Sequence, residues 1–157
     1  MTRPRSAVAM AQEFIIPCLS VRSVAVDATA GNGNDTVFLA QHIGQGMVYS
    51  FDIQREALAQ TATLLEQKGL QTRVKLILAG HERIDQYVKA PLDAVMFNLG
   101  YLPGGDHHII TQPQNTTTAL QRAIELLKIG GRISLVVYTG HSGAVGGRLT
   151  NFVDVTQ

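Results

Sequence analysis

The sequence is short of several features that would settle its class outright. It holds one cysteine, Cys18, in 157 residues. A single thiol cannot form an internal disulfide, which excludes a stapled secreted domain, and zinc sites built on four cysteines are excluded as well. Charge of one sign is equally scarce, with 13 Lys+Arg against 12 Asp+Glu and a net charge of +1. A strongly basic coat is therefore excluded as the main mode of nucleic-acid binding, while a local patch stays open. No apolar run approaches the length of a membrane span. Arg3 and Arg5 precede an apolar stretch, but Gln12 and Glu13 interrupt it, Pro17 ends it, and no small-residue cleavage signal follows. The expectation is a cytoplasmic protein with an amphipathic helix in residues 1–20 that covers a sheet edge or face. No repeat, low-complexity segment or linker divides the chain.

Apolar residues make up 45% and charged residues 16%, the balance of one folded domain with one core. Val24–Val26, Met47–Phe51, Val74–Leu78, Leu92–Phe97 and Arg132–Val137 are short, continuous apolar runs, as expected of strands buried on both faces. Helical spacing separates them. It runs over Thr36–Ile43, over Arg55–Lys68 with Gly69 as its stop, and over Ala119–Lys128 with Gly130-Gly131 as its stop. A weaker helix over His81–Lys89 is halted by Pro91. This alternation predicts an α/β fold: a Rossmann-like, mostly parallel sheet with helices on both faces.

Ligands of such sheets bind beyond the carboxyl ends of the strands. The first strand leads into Asp27-Ala28-Thr29-Ala30-Gly31-Asn32-Gly33-Asn34-Asp35-Thr36. Gly31 and Gly33 can take positive φ, and the following helix offers its positive end. A dinucleotide fingerprint would carry a third glycine where Thr36 stands. Asp27 before the loop suits a cationic ligand better than a pyrophosphate. S-adenosylmethionine, with a sulfonium and an ammonium, fits that demand. The competing reading is a plain turn in which Asp35 caps the helix. Asp52 closes the second strand, 19 residues after Gly33, where an acid accepts ribose hydroxyls. Gly80-His81-Glu82 ends the third strand, either beside the ligand or as a simple helix start.

The fourth strand ends in Asn98-Leu99-Gly100-Tyr101-Leu102-Pro103-Gly104-Gly105-Asp106, the most specific local feature. A polar amide at a buried strand tip can accept a hydrogen bond from an amine, and an aromatic three residues on can stack on a base. The fifth strand ends in Tyr138-Thr139-Gly140-His141. His107 and His108 are adjacent, so they point different ways, and no matching ligand cluster accompanies them. A metal site is not expected.

These three runs together resemble the small bacterial class I S-adenosylmethionine-dependent methyltransferases labelled rRNA methylases, implicated in methylating the aminomethyl group of a modified wobble uridine in tRNA. The likeness extends from about the first helix through Gly143. It implies that the glycine loop and Asp27 cradle the methionine part of the cofactor and that Asp52 holds the ribose. The implied cofactor set is Asp27, Thr29, Gly31, Asn32, Gly33, Asn34, Asp35, Thr36, Asp52, Gln54, His81 and Asn98. Asn98-Leu99-Gly100-Tyr101 looks like a variant of the Asn-Pro-Pro-Tyr signature of amino-methyltransferases. In that signature the Asn side chain and the next carbonyl accept from the target amine, and the aromatic stacks on the base. Asn98, Tyr101, Asp106 and His141 are the candidate catalytic residues. The implied partner is an RNA, tRNA before rRNA, acted on without metal by a monomer or homodimer.

The expected reaction is in-line displacement by a neutral amine, with nitrogen and methyl carbon held at about 3–3.5 Å. Asp106, His108 or His141 would take the proton that must leave. Arg3, Arg5, Arg22, Lys128 and Arg148 are the cations available to phosphates. Alternatives are an rRNA or small-molecule amine methyltransferase of the same fold, a nicotinamide-binding oxidoreductase, or an inactive fold remnant. The last arises from the tail. The family continues after Gly143 with a helix and two strands, whereas 14 residues remain here. The expectation is a single domain over 1–157. It comprises a helix within 1–20, a core over 23–143 and a divergent tail over 144–157, without the full last helix and strands. An uncovered fifth strand would associate, aggregate, or be covered by Leu149–Val155 folding back.

Overall fold

The computed structural model describes residues 5–89, 91–100, 113–139 and 148–156. Helix α1 (Ala7–Ile15) starts where the Ser6 side chain accepts from the Ala9 N–H at 3.1 Å. Its Ala7, Ala11 and Ile15, one turn apart, form the buried stripe. Pro17 stands in the 3-10 turn Ile16–Cys18 that ends it. There follow β1 (Val24–Asp27), α2 (Asn34–His42), β2 (Met47–Asp52), α3 (Arg55–Gln67) and β3 (Val74–Leu78). Gly69, at φ 68°, closes α3: its N–H reaches Glu66 O at 3.1 Å, and the Leu70 N–H reaches Leu65 O at 2.9 Å. The second half holds α4 (Ile84–Tyr87), β4 (Leu92–Leu99), α5 (Pro113–Leu126), β5 (Leu127–Thr139) and β6 (Arg148–Thr156).

Among the described residues the strands form one sheet in the order β3-β2-β1-β4-β5-β6. The first five in that order pair in parallel, and β6 pairs antiparallel with β5. The order reverses between β1 and β4, which are hydrogen-bonded neighbours with Asp27 opposite Met96. Alternation along the strands splits the core into two layers. Ala25, Val48, Ala94, Met96 and Val136 pack with α1 and α2, while Val26, Phe51, Val95, Phe97 and Ile133 pack with Ala119 and Ala123 of α5. No helix among the described residues is long and apolar enough to cross a membrane.

Two expectations shift. The third long helix starts at Pro113 and ends at Leu126, before Gly130-Gly131, and β5 already begins at Leu127. Gly130 takes φ 86° within that strand, and Leu127 pairs with Leu92. Pairing with β4 therefore takes precedence over the helical spacing that continues through Leu127. The tail does not leave β5 as a bare edge: β6 folds back with Leu135 opposite Val153 and Arg132 opposite Thr156. α1 covers a face of the sheet, and the Arg132 guanidinium of β5 anchors it by donating to Phe14 O at 2.8 Å.

Candidate active site

β1 and β4 diverge in topology at their carboxyl ends, so a crevice opens there. Register decides what faces it. Asp27 shares the parity of Ala25, and Asn98 that of Ala94 and Met96, so both belong to the layer that contains α1 and α2. Asp27 is fully buried. Its Oδ1 accepts the Thr29 N–H at 3.1 Å and its Oδ2 accepts the Thr36 hydroxyl at 2.7 Å. Ser50 Oγ lies 2.7 Å from Thr36 Oγ1. The Thr36 proton is committed to Asp27, so Ser50 is the donor in that second bond. Asp27 thus braces the glycine loop from beneath.

The loop needs its glycines. Gly31 has φ 53° and Gly33 φ 89°. A Cβ on Gly33 would also stand 3.1 Å from Thr61 Oγ1 and 3.2 Å from Thr61 Cα of α3. Gly33 is the residue before α2, and no side chain caps that helix. Asp35, expected as the cap in the plain-turn reading, lies inside the first turn. Its Oδ1 accepts from Gln12 Nε2 of α1 at 3.1 Å, and the Asn98 side chain hydrogen-bonds to the same carboxylate. Asn32 and Asn34 are exposed and form an Asx turn, with the Asn34 N–H 3.2 Å from Asn32 Oδ1.

At the tip of β2, Asp52 Oδ2 accepts the Gly31 N–H at 2.9 Å and its Oδ1 accepts the Gln54 N–H at 2.8 Å. Gln54 Oε1 is buried without a donor among the described residues. An orphaned buried acceptor next to a strand-tip acid fits a ligand that brings hydroxyl or amino hydrogens, as a nucleoside does. The residues present therefore fit S-adenosylmethionine. Asp52 and Gln54 would hold its nucleoside, and the loop over 27–36 its charged amino-acid end.

On the β4 side the Asn98 N–H donates to Thr29 Oγ1 at 2.7 Å, tying the two strand ends together. His81 is buried with Nδ1 3.1 Å from Ala28 O and Nε2 3.4 Å from Thr116 Oγ1. A carbonyl only accepts, so Nδ1 carries the hydrogen. Burial lowers the His81 pKa and keeps the ring neutral. His81 therefore acts as a joint between the loop after β1 and α5. Burial raises the pKa of both Asp27 and Asp35, and for Asp27 the charge of Asp35 adds to the effect.

The strand-end residues singled out in the sequence thus come together across β1, β2, β3 and β4. Tyr101, Asp106, His107, His108 and His141 lie outside the described residues, as does Arg3. Of the phosphate-contact candidates, Arg5 pairs with Glu13 at 2.6 Å and Lys128 pairs with Asp93, while Arg22 is exposed. Gln12 and Ser50 escaped the sequence reading. Ser50 is a lone aliphatic hydroxyl within an apolar strand, whereas Gln12 stands beside Glu13 in α1 and carries no signal of its own.

Comparison with known proteins gives four consistent findings. The family profile described as "Putative rRNA methylase" matches residues 48–149. A curated chloroplastic "tRNA (mnm(5)s(2)U34)-methyltransferase" of Arabidopsis thaliana is 44% identical over 129 residues, 75% of this chain. The chain spans 47% of that protein's length. The crystal structure of a "putative rRNA-methylase" from Clostridium thermocellum has 45% identity and a TM-score of 0.86, covering 90% of this chain and 76% of its own. A "putative methyltransferase" from Streptococcus mutans in complex with SAH has 44% identity and a TM-score of 0.80, covering 87% and 74%.

Proposed function

The chain belongs to the family described as "Putative rRNA methylase", and from that premise we propose that it is an S-adenosylmethionine-dependent RNA methyltransferase. The substrate we infer is the aminomethyl group of a modified wobble uridine in tRNA, methylated on nitrogen in the cytoplasm. The observation that carries this reading is the meeting of Asn98 with the glycine loop at the β1–β4 switch, where Thr29 Oγ1 accepts the Asn98 N–H at 2.7 Å. An amide acceptor there stands next to the place where the cofactor's amino-acid end is expected. The likeness to a tRNA methyltransferase at 44% identity supports tRNA, and the SAH complex of a relative supports the cofactor.

S-adenosylmethionine, when bound, supplies an electrophilic methyl on sulfur. The protein orients the nucleophile. The Asn98 side-chain carbonyl accepts from the target amine and aims its lone pair at the methyl carbon, a gain of orientation rather than of acid–base chemistry. Tyr101 stacks on the uracil, and Asp106, His108 or His141 accepts the proton that the ammonium form must lose. Burial of Asp27 beneath the loop keeps a carboxylate close to the cationic end of the cofactor. The family description favours rRNA as the second reading, so the assay carries both RNAs. Radiolabelled methyl transfer is measured on tRNA bearing the aminomethyl wobble uridine, on the same tRNA without the aminomethyl group, and on rRNA. Transfer to the first alone, reduced at least 100-fold in Asn98→Ala, is expected. Transfer to rRNA alone, or none, overturns the tRNA reading.

A further inference from the structure

The reading above makes Asn98 an acceptor, yet a free amide presents either its carbonyl or its NH2 with nearly the same shape. Something must choose the end. The Asn98 main chain is fixed by its N–H bond to Thr29 Oγ1, but that leaves the side-chain amide free to flip. Among the described residues, Asp35 hydrogen-bonds to it. Its carboxylate is buried, sits on the α2 face of the sheet, and receives a side-chain hydrogen bond from Asn98. It also receives Gln12 Nε2 from α1 at 3.1 Å, a contact 23 residues away in sequence. Asp35 has no capping duty, since the residue before α2 is Gly33 and no side chain caps the helix. An ionised carboxylate only accepts, so it binds the NH2 end of each amide and rejects the carbonyl end.

We propose that Asp35 is a positioning residue for methyl transfer: held by Gln12, it binds the Asn98 NH2 group and so leaves the Asn98 carbonyl oxygen as the acceptor for the substrate amine. Helix α1 acquires a part in the site by this route. The strut Gln12–Asp35–Asn98 links the N-terminal helix to the nucleophile's binding group, and the link is electrostatically one-way. Among the described residues, the groups facing Asp35 are Gln12 from α1, Asn98 from β4 and the carboxylate of Asp27 at the end of β1, which is raised in pKa partly by the charge of Asp35. This inference rests on the proposed amine methylation, and its test separates the two.

Asp35→Asn keeps shape and removes the one-way preference, because an asparagine at 35 can pair with either end of Asn98. The expected result is a fall in kcat on the order of 10–100-fold. KM for tRNA should stay within threefold, with Tm equal to or above wild type. Gln12→Ala should lower kcat by less than Asp35→Asn does. In an Asn98→Ala background, Asp35→Asn should change kcat by less than twofold. A second readout is independent of turnover: the Asn98 side-chain amide resonances in a 1H–15N spectrum should shift with pH in wild type and lose that shift in Asp35→Asn. Unchanged kcat in Asp35→Asn, or Asn98 amide resonances indifferent to Asp35, overturns the positioning role. Wild type that transfers no methyl to tRNA overturns the substrate reading instead, and the Asn98 resonances then decide the positioning role alone.

Discussion

At Asp27 a carboxylate is buried at the end of β1, and desolvation with the nearby charge of Asp35 raises its pKa from 3.8 to about 7. A group whose pKa is higher folded than unfolded binds its proton more tightly in the folded state. Its contribution to stability is complete below the unfolded pKa and is lost as pH rises through the folded one. Thermal unfolding of the ligand-free protein should therefore show Tm falling between pH 5 and pH 7.5, by an amount reflecting a few kcal/mol. Asp27→Asn should flatten that slope. A wild-type Tm that rises over the same window would contradict the assignment. A cationic ligand works against this trend, since it favours ionised Asp27, so stabilisation by S-adenosylmethionine should grow as pH rises. At this scale the sequence was legible where chemistry is local: Asp27, Gly31, Gly33 and Asp52 are readable from their spacing. It was divided for Asp35, which stands in the implied cofactor set and, at a helix start, also looks like a cap. Its actual partners, Gln12 and Asn98, are distant in sequence.

The elements were read well where burial on both faces makes a run continuously apolar, as in Ala94–Phe97 of β4, and less well where two periodicities overlap. Leu120, Ala123, Ile124 and Leu127 carry helical spacing across the α5–β5 boundary, yet Leu127 already pairs with Leu92. The tail is the other case. Residues 148–156 follow β5 with no period that forces pairing, but the free edge of β5 supplies the partner, and Ile133 faces Val155 in the ladder. Removing residues 148–157 should lower Tm on the order of 10 °C, because most of a strand's ladder bonds are lost. It should also produce larger species in light scattering, because the β5 edge becomes a template for pairing. Binding of S-adenosylhomocysteine should survive, since the loop over 27–36, Asp52 and Gln54 lie on the other side of β4. A shortened chain as stable and as dispersed as wild type would contradict the role given to β6.

The whole molecule has a net charge of +1, and two of its candidate phosphate-binding cations, Arg5 and Lys128, are spent on Glu13 and Asp93. If the proposed RNA substrate is right, affinity for it comes from few contacts, and recognition from the shape and chemistry of the nucleotide at the site rather than from bulk attraction. The fold fits this economy. One reversal of strand order places the ends of β1 and β4 side by side, so the cofactor loop and Asn98 meet without any further domain. The central claim is that this crevice is an S-adenosylmethionine site. Hydrogen exchange of the intact chain, with and without S-adenosylhomocysteine and with NAD as a parallel ligand, tests it most directly. The account predicts protection by S-adenosylhomocysteine confined to residues 27–36, 52–54 and 97–99, and none by NAD. Protection by NAD alone, or protection by S-adenosylhomocysteine away from the ends of β1, β2 and β4, would contradict it.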